Sequence, residues 1–441
     1  MSTKKHIVIG CGVCGLTTAL HLFRAHSSIS TNMTLLSHHQ PQEPSDDISK
    51  IIRIDYPNLR RMKEAAYAKE VWETDQCFRQ FYQPVGRVVA YGEEDVETLY
   101  RIDGARLQLG MQKRERLDHQ TIAKIIGPAN LPPGLTFVWN DDDSLVEWKG
   151  CMQAMQDLVK RHCEEDDGSK MLELQALKLL HEGGRVCAVV LPNEEQIQAT
   201  DAEVIVAAGP WITELLEKSG IAQPPASRSP VATGLFAFTL QLNEEQTLFF
   251  KGKPAFSHIG YAEFLPPTKS DGIAKITCIS PFTNTESSSS LSYPRDFSGS
   301  SLAIDTMLKM KRWAQKFLPG LGGAKIISIR SYWDGMTQTQ TPLISRHPQY
   351  RNLSIVGGGS YNRAKDLPVL GEEVVKMLAD EPLHPSYGWH PSDDLSNQDQ
   401  PRLLARGDFG DLEREAEKNP EVQAWRLKRA SRIEHDYLEE I

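Results

Sequence analysis

The stretch IVIGCGVCGLTTAL, residues 7–20, carries two overlapping patterns with different chemistry. Cys11 and Cys14 form a CxxC, the spacing of a redox dithiol or of half a zinc site. Gly10, Gly12 and Gly15 form GxGxxG, the loop that holds a dinucleotide pyrophosphate. The flanks decide between them. HIVIG before the loop is a short β-branched run, and LTTALHLFRAH after it puts Leu16, Leu20 and Phe23 on one side of a helix. The glycines therefore sit on a strand–turn–helix unit. Gly10 permits the tight turn, Gly12 lets backbone approach the pyrophosphate, and Gly15 lets helix and strand pack closely. Val13 and Cys14 open the helix, whose free N–H groups and dipole face the phosphates.

A zinc site needs further ligands, and no other CxxC and no HxxxH occurs in the chain. No metal site is expected. A redox dithiol stays open, because a thiol near a helix N-terminus is acidified. A bound pyrophosphate would cover that position, so both cysteines are read as small packing residues.

The acid that usually binds a ribose hydroxyl lies about 20 residues on, at the end of the next strand. That strand is NMTLLSHHQ, and the position holds Ser37, followed by His38 and His39. A serine can hydrogen-bond a hydroxyl, without charge assistance. Two later segments repeat the strand–glycine–helix pattern. DAEVIVAAGPWITELLEKSG (201–220) contains Gly209 and Trp211, and NLSIVGGGSYNRAKDLPVLGEEVVKML (352–378) contains Gly358, Gly359 and Ser360. Such spacing predicts one nucleotide domain assembled from distant segments. A simple nicotinamide dehydrogenase is not built that way.

The bulk properties bound the rest. A chain of 441 residues exceeds one small core and predicts two domains, and 40% hydrophobic with 24% charged residues is ordinary for a soluble globular protein. A net charge of -9 argues against nucleic-acid or anionic-membrane partners. No apolar run approaches the roughly 20 residues that span a bilayer. MSTKKHIVIG leaves no room for a signal peptide, and YLEEI is not an organelle address. Seven scattered cysteines do not make a disulfide framework. The expectation is a reduced, cytoplasmic, monomeric enzyme.

The ordered set of motifs resembles the fungal branch of the flavin-dependent amine oxidases: fructosyl amino acid, saccharopine and pipecolate oxidases, with sarcosine oxidase beyond them. The matching residues are Gly10, Gly12 and Gly15; Ser49-Lys50-Ile51-Ile52-Arg53 with Asp55-Tyr56; and Ala208-Gly209-Pro210-Trp211. They continue through GIAKITCISPFTN (272–284) and Arg330–Thr337 to Gly358–Lys365, so the likeness runs over residues 5 to 380. The resemblance implies FAD as cofactor, a small amine or amino acid as substrate and O2 as electron acceptor. It also implies the fold class α/β, with a Rossmann-like FAD domain of discontinuous segments and an α+β substrate domain on an antiparallel sheet. Residues 1–90, 149–222 and 325–380 are assigned to the first, 91–148 and 223–324 to the second. Residues 381–441 form a tail with a helix at 421–438, packed on the outside of the body.

Within that resemblance Lys275 matches the lysine over the flavin face that activates oxygen, for which a fixed cation beside a nascent superoxide is a sound physical reason. Arg53 and Lys365 match the pair that grips the substrate carboxylate, Arg bidentately and Lys as a point charge. Lys50 matches a basic residue beside the flavin. For each, a solvated surface position is the bland alternative.

Two departures stand out. Covalent members attach flavin through the cysteine of a Cys-Trp-x-x-Asp-Thr stretch; here the stretch is YWDGMT, with Tyr332 at the cysteine and Met336 at the aspartate. Non-covalent FAD is expected. The final loop, Ser-Gly-His-Gly-Phe-Lys in relatives, is Ser360-Tyr-Asn-Arg-Ala-Lys365. That predicts a remodelled substrate pocket and leaves a second reading open: an FAD-dependent tailoring oxidoreductase of secondary metabolism, acting on a bulky intermediate. A non-catalytic nucleotide-binding protein is a third, against which Lys275 and Arg53 speak.

Overall fold

Strands Lys5–Ile9, Met33–Leu36, Ala202–Val206 and Leu353–Gly357 are short apolar runs buried along almost their whole length. Strands of that kind form parallel sheets covered by helices. In the computed structural model, which describes residues 5–25, 31–39, 43–127, 131–390, 404–430 and 438–441, they are the middle of one sheet. Its order is Leu343–Arg346, Leu353–Gly357, Ala202–Val206, Lys5–Ile9, Met33–Leu36, Lys170–Leu172, and only the Leu343–Arg346 edge is antiparallel. The strand–glycine–helix units are therefore neighbours in space: Ile7 pairs with Val204, and Val204 with Leu353. Helix Val13–Ala25 packs on helix Leu370–Leu378 at Gly371, where a Cβ would fall 2.1 Å from the Thr17 carbonyl oxygen.

A separate three-stranded meander is formed by Lys178–Glu182, Arg185–Val190 and Gln196–Gln198, turned at Gly183 and Gly184, both at positive φ.

A second sheet has nine strands, in the order Glu439–Glu440, Lys325–Met336, Val231–Gln241, Ile273–Cys278, Ala262–Leu265, Ala255–His258, Arg87–Tyr91, Thr136–Asn140, Glu115–Leu117. It is antiparallel except where Ala255–His258 meets Arg87–Tyr91. Helix Ser301–Phe317 buries Met307, Trp313 and Phe317 in the core that includes Phe256 and Phe264 of this sheet. Lys325–Met336 runs beside the whole of Val231–Gln241.

Three expectations change here. Residues 87–90 of strand Arg87–Tyr91, and strand Lys325–Met336, assigned to the nucleotide domain, belong to the nine-stranded sheet, because an apolar strand pattern does not name its partner. Ser144–Glu147, assigned to the substrate domain, instead pairs with Ser49–Ile52 and Tyr82–Gln83 in a separate three-stranded sheet. The tail does pack on the body, through helices Phe409–Glu417 and Pro420–Ala430 with Ala416 and Val422 buried, and it adds an edge strand as well. Of the expected helix, Ile433 and Tyr437 lie outside the described residues.

Candidate active site

Two cavities adjoin one another and share Pro44, Lys50, Tyr361 and Ala364 as common wall. The first takes up about 1300 Å³, counting the solvent at its open mouth, and runs along the carboxyl ends of the six-stranded sheet, from Leu174–Ala176 past Leu36 and Ile9 to Ala207 and Gly357. Open α/β sheets place their ligands at that edge. Gly10, Gly12, Val13 and Cys14 line it at the N-terminus of helix Val13–Ala25. A Cβ on Gly10, at φ +111°, would lie 2.4 Å from the Ala207 carbonyl oxygen, so this turn admits no side chain. Gly15 is outside the cavity and does what its position predicted: a Cβ there would meet the Gly10 carbonyl oxygen at 1.8 Å. Gly209, Trp211, Gly358 and Gly359 complete the lining.

Ser37, Ser360 and Lys365 do not line this cavity, contrary to expectation. The Ser37 amide is tied to the Leu172 carbonyl at 2.8 Å and its hydroxyl turns to the Cys11 thiol, so His38 and Glu43 form the wall instead. Ser360 is fully buried at positive φ, its hydroxyl accepting from the Thr337 amide at 3.2 Å. Lys365 lies in the second cavity.

The thiols are not acidified. Burial pushes Cys11 and Cys14 up to about 12, outweighing the Ser37 hydrogen bond at Cys11 and the Arg363 charge at Cys14, and no disulfide joins them. Among the described residues no group of His, Cys, Asp and Glu is arranged for a metal ion.

The second cavity takes up about 1700 Å³, counting the solvent at its open mouth. Its floor is one face of the nine-stranded sheet, carrying Tyr332, Leu235, Ala237, Lys275 and Glu263; its other side brings Lys50, Arg53 and Lys365. Lys275 is no surface lysine. It is 4% exposed, and its Nζ donates to Asp47 Oδ2 at 2.6 Å and to the Ser49 carbonyl at 2.7 Å. Lys50 Nζ meets the same Asp47 oxygen at 2.7 Å. Tyr332 closes the group, its hydroxyl donating to Asp47 Oδ1 at 3.3 Å.

Arg53 and Lys365 converge. Arg53 donates to the Asn362 side-chain oxygen, Lys365 Nζ donates to the Asn362 carbonyl at 2.7 Å, and both cations stand over the Tyr56 ring, at 5.0 and 4.9 Å. Burial would raise the Tyr56 phenol; the two cations outweigh it and hold the phenol below its usual range. Asp55, between them in sequence, accepts from Arg106 at 2.8 Å and Asn140 at 2.7 Å, which anchors the chain after Arg53. Arg363 faces the first cavity, paired with Asp366 at 2.5 Å, and so contributes no free cation to the second.

Sequence reasoning passed over Asp47, Asp334 and the position of Tyr361. Asp334 lines the first cavity, accepts from the Tyr361 amide at 2.7 Å and the Gly335 amide at 2.8 Å, and burial lifts its carboxyl to about 6. Tyr361 adopts φ +54°, a left-handed conformation that costs a non-glycine residue roughly 1–2 kcal/mol. Its ring packs on Leu235, Ala237 and Tyr332, and its hydroxyl donates to the Thr233 carbonyl. The relatives' glycine at that position was the only available signal.

The residues present fit a dinucleotide with a ring system at one end. Glycine backbone and a helix N-terminus line the first cavity, which shares a wall with a second, charged cavity. The sequence profile of the family described as FAD dependent oxidoreductase matches residues 5–377.

The chain belongs to the FAD dependent oxidoreductase family.

Relatives within reach of comparison agree with that assignment. L-saccharopine oxidase of Schizosaccharomyces pombe is 23% identical over 433 residues, covering 89% of this chain and 95% of its own. Fructosyl amine:oxygen oxidoreductase (Amadoriase I) of Aspergillus fumigatus superposes with a TM-score of 0.75 at 20% identity, over 93% of this chain and 95% of its own. The modified fructosyl peptide oxidase from Aspergillus nidulans does so with 0.77 at 21%, over 93% and 98%. Its mixed α/β fold, with a largely parallel sheet and a largely antiparallel one, is the fold class that the resemblance implied. No described helix is long and apolar enough to cross a membrane.

Proposed function

We propose that the chain oxidises the C–N bond of a carboxylate-bearing secondary amine or amino acid to an imine, with O2 reduced to hydrogen peroxide. Bound FAD supplies the two-electron acceptor for the amine and the donor for oxygen. Two electrons and two protons leave the C–H and N–H of the substrate, and both pairs end on O2. The observation that carries this reading is the second cavity: Arg53, Lys365 and Lys275 line one space that shares Lys50 and Tyr361 with the nucleotide cleft.

Within that space Arg53 and Lys365 bind the carboxylate, and Asn362 and Tyr56 hold the two cations in place. Lys275 is the fixed cation for oxygen reduction. Gly10, Gly12, Val13 and Cys14 hold the pyrophosphate, His38 and Glu43 the ribose, and Lys50, Gly358 and Gly359 the ring end. Attachment is non-covalent, since Tyr332 replaces the linking cysteine and its hydroxyl is engaged by Asp47. Amine oxidation by a saccharopine oxidase relative and by fructosyl amine oxidase neighbours supports the reaction class.

A second reading, a tailoring oxidoreductase of secondary metabolism with a bulky substrate, is favoured by Tyr361 and Asn362, which line the second cavity where the resemblance implies Gly-His. Peroxide release across a panel of small and bulky amines tests both. Turnover of carboxylate-bearing amines supports the first, and turnover of bulky uncharged amines alone supports the second.

A further inference from the structure

We propose that Asp47 is a positioning residue for Lys275, holding it in the cavity wall and keeping it charged at neutral pH. The proposal rests on reading Lys275 as the cation of oxygen reduction. An ammonium as buried as Lys275 persists only when paired and hydrogen-bonded. Its partners are the Asp47 carboxylate and the Ser49 carbonyl, at 2.6 and 2.7 Å, which leaves its third N–H for the cavity it lines. The other Asp47 oxygen is fixed by the Ile48 amide at 2.8 Å and by Tyr332. One carboxylate thus orients two lysines and the tyrosine that stands in for a cysteine.

The charges around Lys275 come from several elements. Strand Ser49–Ile52 brings Lys50, and strand Ala262–Leu265 brings Glu263, opposite Thr277 in the register. Strand Lys325–Met336 brings Tyr332 and Arg330, the latter occupied by Asp46 at 2.7 Å. Strand Val231–Gln241 offers only Thr239 opposite Lys275. Burial pushes Lys275 down to about 8, and Lys50 acts in the same direction; Asp47 and, more distantly, Glu263 resist. Burial would raise the Asp47 carboxyl, but the two lysines hold it well below the usual carboxylate range, so the pair is ionised at neutral pH. Removing that carboxylate leaves two ammonium groups facing one another. The buried one, Lys275, then loses its proton, and a neutral amine no longer stabilises negative charge on oxygen.

The test follows the Lys275 amine itself. Reductive methylation of the holoenzyme across a pH series, read at Lys275 by mass spectrometry, should show a midpoint near about 8. Asp47→Asn should lower it by about 1–3 pH units, the effect of an opposite charge at this range. Asp47→Glu should restore part of the shift. Flavin reoxidation by O2 at pH 7 should slow in Asp47→Asn in step with the lost protonation, about twofold for a one-unit fall of the midpoint and about a hundredfold for three, and recover as pH falls below the new midpoint. Lys50→Met probes the same network with Asp47 in place and should raise the midpoint, which keeps the proposal testable if Asp47→Asn does not fold. An unmoved midpoint in Asp47→Asn, or in Lys50→Met, overturns the proposal. A lowered midpoint together with unchanged reoxidation in Lys275→Met supports the positioning role and overturns the oxygen reading.

Discussion

Arg53 donates a hydrogen bond to the Asn362 side chain although 309 residues separate them in the chain. The contact joins the three-stranded sheet to the loop after Gly359 and sets Arg53 beside Lys365 in one cavity. If this pair binds a carboxylate, Arg53→Ala and Lys365→Ala should each raise the apparent KM with little change in kcat. A charged hydrogen bond contributes ~1.5–3 kcal/mol, so each loss should cost about tenfold to a hundredfold in affinity. Steady-state kinetics on the best amine substrate measure this. Unaltered KM in both variants removes the carboxylate clamp.

Tyr332 cannot form a thioether. Acid precipitation of the yellow protein should therefore release all of its flavin into the supernatant as FAD, measured by absorbance and chromatography. Flavin carried down with the chain would contradict non-covalent binding.

Cys11 and Cys14, with thiols pushed up to about 12 by burial, should resist alkylation in the native protein at neutral pH. Because both pKa values are raised, thiolate appears only as pH climbs toward that range, and labelling should rise with it. Replacing both with Ala should leave FAD content and turnover within a few-fold. Loss of flavin reduction with FAD content intact would restore a redox role.

Much of this arrangement was legible in the sequence because its cause is local. Gly10, Gly12 and Gly15 lie between a β-branched run and a helical stripe, and at Gly10 and Gly15 the approach of backbone leaves no alternative residue. Lys275, Arg53 and Lys365 were found through ordered motifs, and the fold brings all three to one cavity. What escaped depends on long-range pairing. No motif in SDDISK marks Asp47, yet its burial beside Lys275 makes it the partner of two lysines. Arg87–Tyr91 and Lys325–Met336 have the composition of strands in either sheet. Ser37 occupied the expected position, but its side chain follows the Cys11 thiol, which no spacing rule anticipates.

Lys275→Met should slow reoxidation of the reduced flavin while anaerobic reduction by substrate is less affected. A fixed cation near the reacting oxygen is worth ~3–4 kcal/mol, about a hundred- to thousand-fold in rate. Stopped-flow mixing of reduced enzyme with oxygenated buffer separates the two half-reactions. Equal loss in both half-reactions would point to a folding defect or to substrate binding instead.

The proposed oxidation of a C–N bond with oxygen as acceptor is read by following flavin colour under nitrogen as carboxylate-bearing secondary amines are added. Expected are bleaching without oxygen, return of colour on admitting air, and hydrogen peroxide equimolar with the imine formed. Colour that persists with every such amine, or bleaches but returns without peroxide, would contradict it.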